Sequence, residues 1–219
     1  MKYIRIGEKK ITPRKIICVG KNYRAHIAEM GGSDVLSEPV LFFKPSSAIA
    51  SGMGILDLPE RLGLLHHEVE LCFVMGATVK DVDVARAAGC ISGYGVGLDF
   101  TLRDRQLKAK KAGLPWCLAK GFDGAAVFGD FIPSDMVGDP LNLSIELSVN
   151  GEKRQVSNSK KMLYSPADII SFASGFMTLE KGDVFMTGTP EGVGKVVDGD
   201  ILEARIENLP PLDLIVRRK

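Results

Sequence analysis

The residue types that carry chemistry are concentrated at two places. One is His67-Glu68-Val69-Glu70 inside the apolar run Leu64 to Met75, and the other is Asp99 in Gly97-Leu98-Asp99-Phe100. A carboxylate is costly to bury without a counter-charge. The β-branched and aromatic content of Glu68-Val69-Glu70-Leu71-Cys72-Phe73-Val74 predicts a strand, whose period of two puts Glu68 and Glu70 on one face. Two like charges so placed repel, and a divalent cation between them relieves the repulsion. Oxygen ligands alone select a hard ion, Mg²⁺ or Mn²⁺, over zinc. The plainer alternative is an edge strand whose alternate glutamates face water.

Two further spacings carry chemistry. His26 and Glu29 stand three apart in a polar helix expected from about Asn22 to Met30, so they share a face. A carboxylate there orients the imidazole and raises its basicity, as a general base requires. The alternative is an exposed histidine beside an exposed glutamate. Asp99, Arg103 and Gln106 fall at i, i+4 and i+7, one stripe of a helix expected from Asp99 to about Ala112. That stripe offers a metal ligand, a guanidinium for a substrate carboxylate and an amide donor. Read plainly, it is an amphipathic helix with an acid in its first turn and Lys108, Lys110 and Lys111 near its C-terminal end.

The elements that must hold these residues are short and mostly β, punctuated by 24 glycines and 11 prolines. Leu143 to Val149 alternates, Asn150-Gly151 supplies the positive φ angles of a tight I′ turn, and Glu152 to Val156 returns, which predicts a hairpin. Ser165-Pro166-Ala167-Asp168 has the N-cap serine, N1 proline and acidic third residue of a helix start. Lys15 to Gly20 reads as a buried strand, and β structure resumes at Val184-Phe185-Met186 and at Ile201 to Ile206. Two glycine-rich stretches fit no nucleotide motif. Gly93-Tyr94-Gly95-Val96-Gly97 lacks the G-x-G-x-x-G spacing, and Thr187 to Lys195 has Thr189 and Val196 where a phosphate loop needs glycine and serine or threonine. The latter loop can still gather backbone N–H groups and the Thr189 hydroxyl around a carboxylate.

Composition limits the partners. The chain has 219 residues, 45% apolar, with a formal net charge of +1, which excludes a basic stripe for nucleic acid. Cys18, Cys72, Cys90 and Cys117 show no Cys-x-x-Cys spacing and read as reduced core residues of an intracellular protein. No signal peptide opens the sequence and no run of about 18 apolar residues provides a membrane span. A cytoplasmic location is expected.

Read together, Val19-Gly20-Lys21-Asn22-Tyr23 with His26-x-x-Glu29, Phe42-Phe43-Lys44-Pro45-Ser46, His67-Glu68-x-Glu70-Leu71, Gly97-Leu98-Asp99-Phe100-Thr101-x-Arg103-Asp104, Lys120-Gly121-Phe122-Asp123 and Thr187-Gly188-Thr189-Pro190-x-Gly192-Val193-Gly194 resemble the fumarylacetoacetate hydrolase family. The likeness runs from about Ile16 to the C-terminus and is nearest the small members that act on acylpyruvates and oxaloacetate. It implies an α+β, mainly β fold, a mixed β-roll, with residues 1–15 a short N-terminal β segment, 16–219 a single catalytic domain, and a homodimer. It implies that Glu68, Glu70 and Asp99 hold Mg²⁺ or Mn²⁺, that His26 and Glu29 activate water, that Lys120 meets developing negative charge, and that Arg103, Gln106 and Thr189 face a small 2-oxo acid. Without the extra domain of larger members, fumarylacetoacetate itself is not the expected substrate.

The expected reaction is carbon–carbon hydrolysis of an acylpyruvate to pyruvate and a carboxylic acid through a metal-stabilised enolate. Decarboxylation and keto–enol tautomerisation of oxaloacetate share that enolate and are the alternatives. A non-catalytic oxo-acid-binding protein is the remoter one, disfavoured because binding needs neither a base nor Lys120.

Overall fold

The computed structural model describes residues 2–32, 37–50 and 54–219. Its largest sheet runs in the order Val40–Lys44, Ile16–Gly20, Val184–Met186, Val69–Met75, Ile91–Asp99, Ala126–Phe128, Ile49–Ala50, with Ile132–Pro133 also paired to Ile91–Asp99. The pairing is mixed: Val184–Met186 is parallel to Ile16–Gly20 and antiparallel to Val69–Met75. A five-stranded sheet follows the order Glu152–Asn158, Ser144–Val149, Ile201–Ile206, Leu212–Arg218, Gly54–Leu58. Smaller sheets join Ile4–Ile6 to Lys9–Ile11, and Leu65–His67 to both Thr101–Leu102 and Gly194–Lys195. With only a few short helices, the chain is a mainly β, curled mixed sheet of the β-roll type.

The Glu70 strand lies in the middle of the large sheet, every residue of Val69–Met75 buried, so the solvated-edge alternative is ruled out. Its register stacks Phe73 on Phe185 with ring centroids 4.7 Å apart. The alternate glycines of Ile91–Asp99 let neighbours approach: a Cβ on Gly95 would sit 2.8 Å from the Phe131 ring, and one on Gly97 2.4 Å from Cys72 Sγ. That glycine pattern serves close packing.

The Asn150-Gly151 hairpin forms as expected, with both residues at positive φ. The helix Pro166–Phe176 opens with a capping box between Ser165 and Asp168. Two expectations are corrected. Asp99 is the last residue of the strand Ile91–Asp99, and the helix begins only at Arg103 and runs to Ala112. Sheet pairing holds the intervening residues extended: Asp99 is opposite Ala126, and Thr101 and Leu102 are opposite His66 and Leu65. The stripe of Asp99, Arg103 and Gln106 is thus a strand end followed by a helix, with Asp104 as the first-turn acid. Of the cysteines, Cys18 and Cys72 are core residues, whereas Cys90 is partly buried and Cys117 exposed.

Candidate active site

Glu68, Glu70 and Asp99 meet where the strands Val69–Met75 and Ile91–Asp99 pair, and Asp99 N–H donates to Glu68 O at 2.8 Å. All three are buried, and one oxygen from each lies within 4.8 Å of the others. Their partners differ. Lys120 Nζ stands 2.7 Å from both Glu68 Oε2 and Asp99 Oδ2, and Arg103 pairs with Glu68 Oε1. Lys44 Nζ lies 2.7 Å from Asp99 Oδ1 without making a hydrogen bond to it, and donates to Lys120 O. Glu70 accepts the Gly188 N–H at 2.7 Å and pairs with no side-chain cation among the described residues.

The electrostatics follow. Burial raises the Glu68 pKa, but Lys120 and Arg103 outweigh it and hold the carboxyl far below its usual range. Burial, then Asp99 and Glu68, push Glu70 well above it. Burial disfavours the Lys120 ammonium, yet Asp99 and Glu68 hold its pKa above the ordinary lysine value. A buried carboxylate short of positive charge, with two others converging on it in an all-oxygen set, fits a hard divalent ion.

His26 and Glu29 lie on the helix Arg24–Glu29, and Nδ1 is 3.2 Å from Glu29 Oε2. His26 is 9% exposed, so the imidazole is not a surface group, whereas Glu29 is exposed as the surface-pair alternative has it. A carboxylate can only accept, so Nδ1 carries the shared proton and Nε2 keeps its lone pair. Burial lowers the His26 pKa more than Glu68 and Glu29 raise it, so the ring is neutral at pH 7. Glu29 Oε1 accepts the Gly192 N–H at 3.0 Å, which ties the helix to the glycine-rich loop. That loop does gather N–H groups around carboxylates: those of Glu70 and Glu29.

One cavity of about 370 Å³ is lined by His26, Glu68, Glu70, Asp99, Arg103, Gln106, Lys120 and Thr189 among others. It thus holds every expected site residue except Glu29, which reaches it through His26. Arg103 directs its N–H groups to Glu68 and to Gln106 Oε1. The Thr189 hydroxyl donates to Val69 O at 2.9 Å, so its proton is committed to the strand.

Sequence reasoning passed over Lys44 and Gln155. Lys44 lies in the strand Val40–Lys44, where a lysine amid apolar residues signals a buried partner. Gln155 is fully buried and uses all its groups: Oε1 accepts from His67 Nδ1 and Val69 N–H, and Nε2 donates to Thr189 Oγ1 at 2.8 Å and Pro190 O at 3.0 Å. It comes from the far sheet, 34 residues from Thr189, and no local pattern marks it.

A mixed β-roll whose central strands carry Glu70 and Asp99, with Glu68 converging on them from the break between Leu65–His67 and Val69–Met75, all beside an imidazole, defines the class. Residues 15–217 match the family model Fumarylacetoacetate (FAA) hydrolase C-terminal, and the chain belongs to the fumarylacetoacetate hydrolase family. It is 48% identical over 189 residues to oxaloacetate tautomerase YcgM of Escherichia coli K12, covering 86% of each chain. To the human mitochondrial oxaloacetate tautomerase FAHD1 it is 44% identical over 205 residues, 94% of this chain and 92% of that one. Among solved structures, fumarylpyruvate hydrolase from Pseudomonas aeruginosa in complex with Mn²⁺ and pyruvate superposes with a TM-score of 0.95 at 35% identity, over 100% of this chain and 96% of that one.

Proposed function

We propose that the chain is a divalent-metal-dependent enzyme of small 2-oxo acids, and that it interconverts the keto and enol forms of oxaloacetate. The observation that carries this is one cavity holding both a neutral imidazole oriented by Glu29 and a buried carboxylate triad whose Glu70 pairs with no side-chain cation among the described residues. The tautomerase relatives support oxaloacetate over the acylpyruvate expected from sequence. Glu68, Glu70 and Asp99 would hold Mg²⁺ or Mn²⁺, which when bound polarises the 2-oxo group and stabilises negative charge on its oxygen.

The chain's own groups do the rest. His26 Nε2 takes a proton from C3 of the keto form, the C–H electron pair becomes the C2–C3 double bond, and the π pair of the C2 carbonyl passes to its oxygen. The imidazolium, held by Glu29, returns that proton to the C2 oxygen to give the enol, and the reverse sequence restores the ketone. Lys120 adds fixed positive charge beside the reacting oxygens. In this reading residues 16–219 act as one catalytic domain.

Acylpyruvate hydrolysis is the second reading, favoured by the fumarylpyruvate hydrolase neighbour. There His26 would take a proton from water as its oxygen bonds to the distal carbonyl carbon. The carbon–carbon bond then breaks, its electron pair passing to the pyruvate fragment.

The test follows enol absorbance of oxaloacetate with Mg²⁺-loaded and chelated protein, with pyruvate release from oxaloacetate and acetylpyruvate assayed in parallel. Accelerated enol–keto exchange without pyruvate is expected. Pyruvate from acetylpyruvate without accelerated exchange would move the assignment to hydrolysis, and undiminished activity in chelator would remove the metal.

A further inference from the structure

The strand Val40–Lys44 inverts the usual sidedness at its end: Phe43 is 47% exposed and Lys44 only 1%. Burying an ammonium is costly without partners, and Lys44 has three. Its Nζ lies 2.7 Å from Asp99 Oδ1 and donates to the carbonyls of Phe100, at 3.4 Å, and of Lys120. Asp99 therefore faces two ammonium groups, Lys44 at Oδ1 and Lys120 at Oδ2, while Glu70 pairs with no side-chain cation among the described residues. Lys120 lines the cavity and can meet a ligand there. Lys44 is outside the cavity lining, so whatever it does to the chemistry passes through Asp99 or the Lys120 backbone.

Groups that contact a metal ligand tune it. A carboxylate behind a ligating imidazole makes it a better donor. An ammonium against a ligating carboxylate does the opposite, since it draws charge from the oxygens and repels the incoming cation. An ion held by so compensated a carboxylate keeps more of its own charge for its remaining ligands. We propose that Lys44 is a positioning residue that acts through Asp99: its charge holds Asp99 as a weak metal ligand, which loosens the ion but keeps it a strong Lewis acid toward the 2-oxo group. Its hydrogen bond to the Lys120 carbonyl fixes the second ammonium on the same carboxylate.

The inference rests on the metal reading above, and calorimetric titration with Mg²⁺ tests it without turnover. Lys44→Met removes both the charge and the donor. Lys44→Gln removes only the charge, because its amide can still donate to the Lys120 carbonyl. Both variants should bind Mg²⁺ about tenfold more tightly than wild type, and at saturating Mg²⁺ kcat for enol–keto exchange should fall about tenfold. A lysine that merely braced the fold would shift affinity the other way, since a loosened Asp99 weakens the site. Lys44→Gln decides the matter where Lys44→Met fails to fold. Mg²⁺ binding that is unchanged or weaker in Lys44→Gln, or an undiminished kcat there, would overturn the proposal and leave the metal reading standing. Wild type that takes up no Mg²⁺ would overturn both.

Discussion

Glu68 and Glu70 are two residues apart and both buried, yet Glu68 pairs with Lys120 and Arg103, while Glu70 accepts a backbone N–H and pairs with no side-chain cation among the described residues. Removing the two charges should therefore have opposite effects on metal-free protein. Glu70→Gln relieves an uncompensated buried carboxylate and should raise stability by about 1–3 kcal/mol. Glu68→Gln leaves Arg103 without its carboxylate and Lys120 with Asp99 alone, and should lower it by about 3 kcal/mol. Urea denaturation with and without Mg²⁺ checks both. Wild type should gain about 2.7 kcal/mol at a metal concentration one hundredfold above Kd, and neither variant should gain as much.

The His26 base works in its neutral form, which is lost as pH falls through its folded pKa. Because burial lowers that value, the acid limb of kcat/KM should lie below pH 6.5. Glu29→Gln removes a group that raises it, so the limb should move to lower pH while the plateau falls about tenfold. His26→Ala should cost about a hundredfold and leave Mg²⁺ binding intact. A pH–rate series on the three proteins decides, and an acid limb unmoved in Glu29→Gln would detach Glu29 from the base.

Gln155→Leu leaves the Val69 N–H, the Pro190 carbonyl and His67 without their buried partner. A loss of about 2–4 kcal/mol in urea denaturation is expected. The freed Thr189 loop should raise KM for oxaloacetate more than it lowers kcat, and an unchanged KM would confine Gln155 to stability.

Gly192 has φ +91°, and a Cβ there would sit 2.0 Å from Arg154 O. Gly192→Ala should destabilise by about 1–3 kcal/mol. It should also displace the N–H that holds Glu29, so kcat should fall in the same variant, whereas Gly199→Ala, where a Cβ meets no atom, should strain the backbone and spare kcat.

Local chemistry made several elements readable. Asn150-Gly151 admits the positive φ angles of a tight turn, Ser165 and Asp168 cap each other three residues apart, and His26 and Glu29 meet within one helical turn. The alternation of Glu68 and Glu70 pointed to a strand and a shared cation for the same reason, since a period of two is a property of the extended backbone itself. Asp99 was misread as helical because its spacing to Arg103 and Gln106 matches a helix stripe. Its pairing with Ala126, 27 positions along the chain, is invisible to that pattern.

The sequence by itself thus determined the donor types, the local elements and the family. The tertiary structure alone decided which charges compensate which. Lys120 reaches Glu68 across 52 residues, Lys44 reaches Asp99 from a different strand, and Gln155 crosses between sheets. Such pairings depend on strand order and register, which arise from packing of the whole core, and no window of neighbouring residues encodes them.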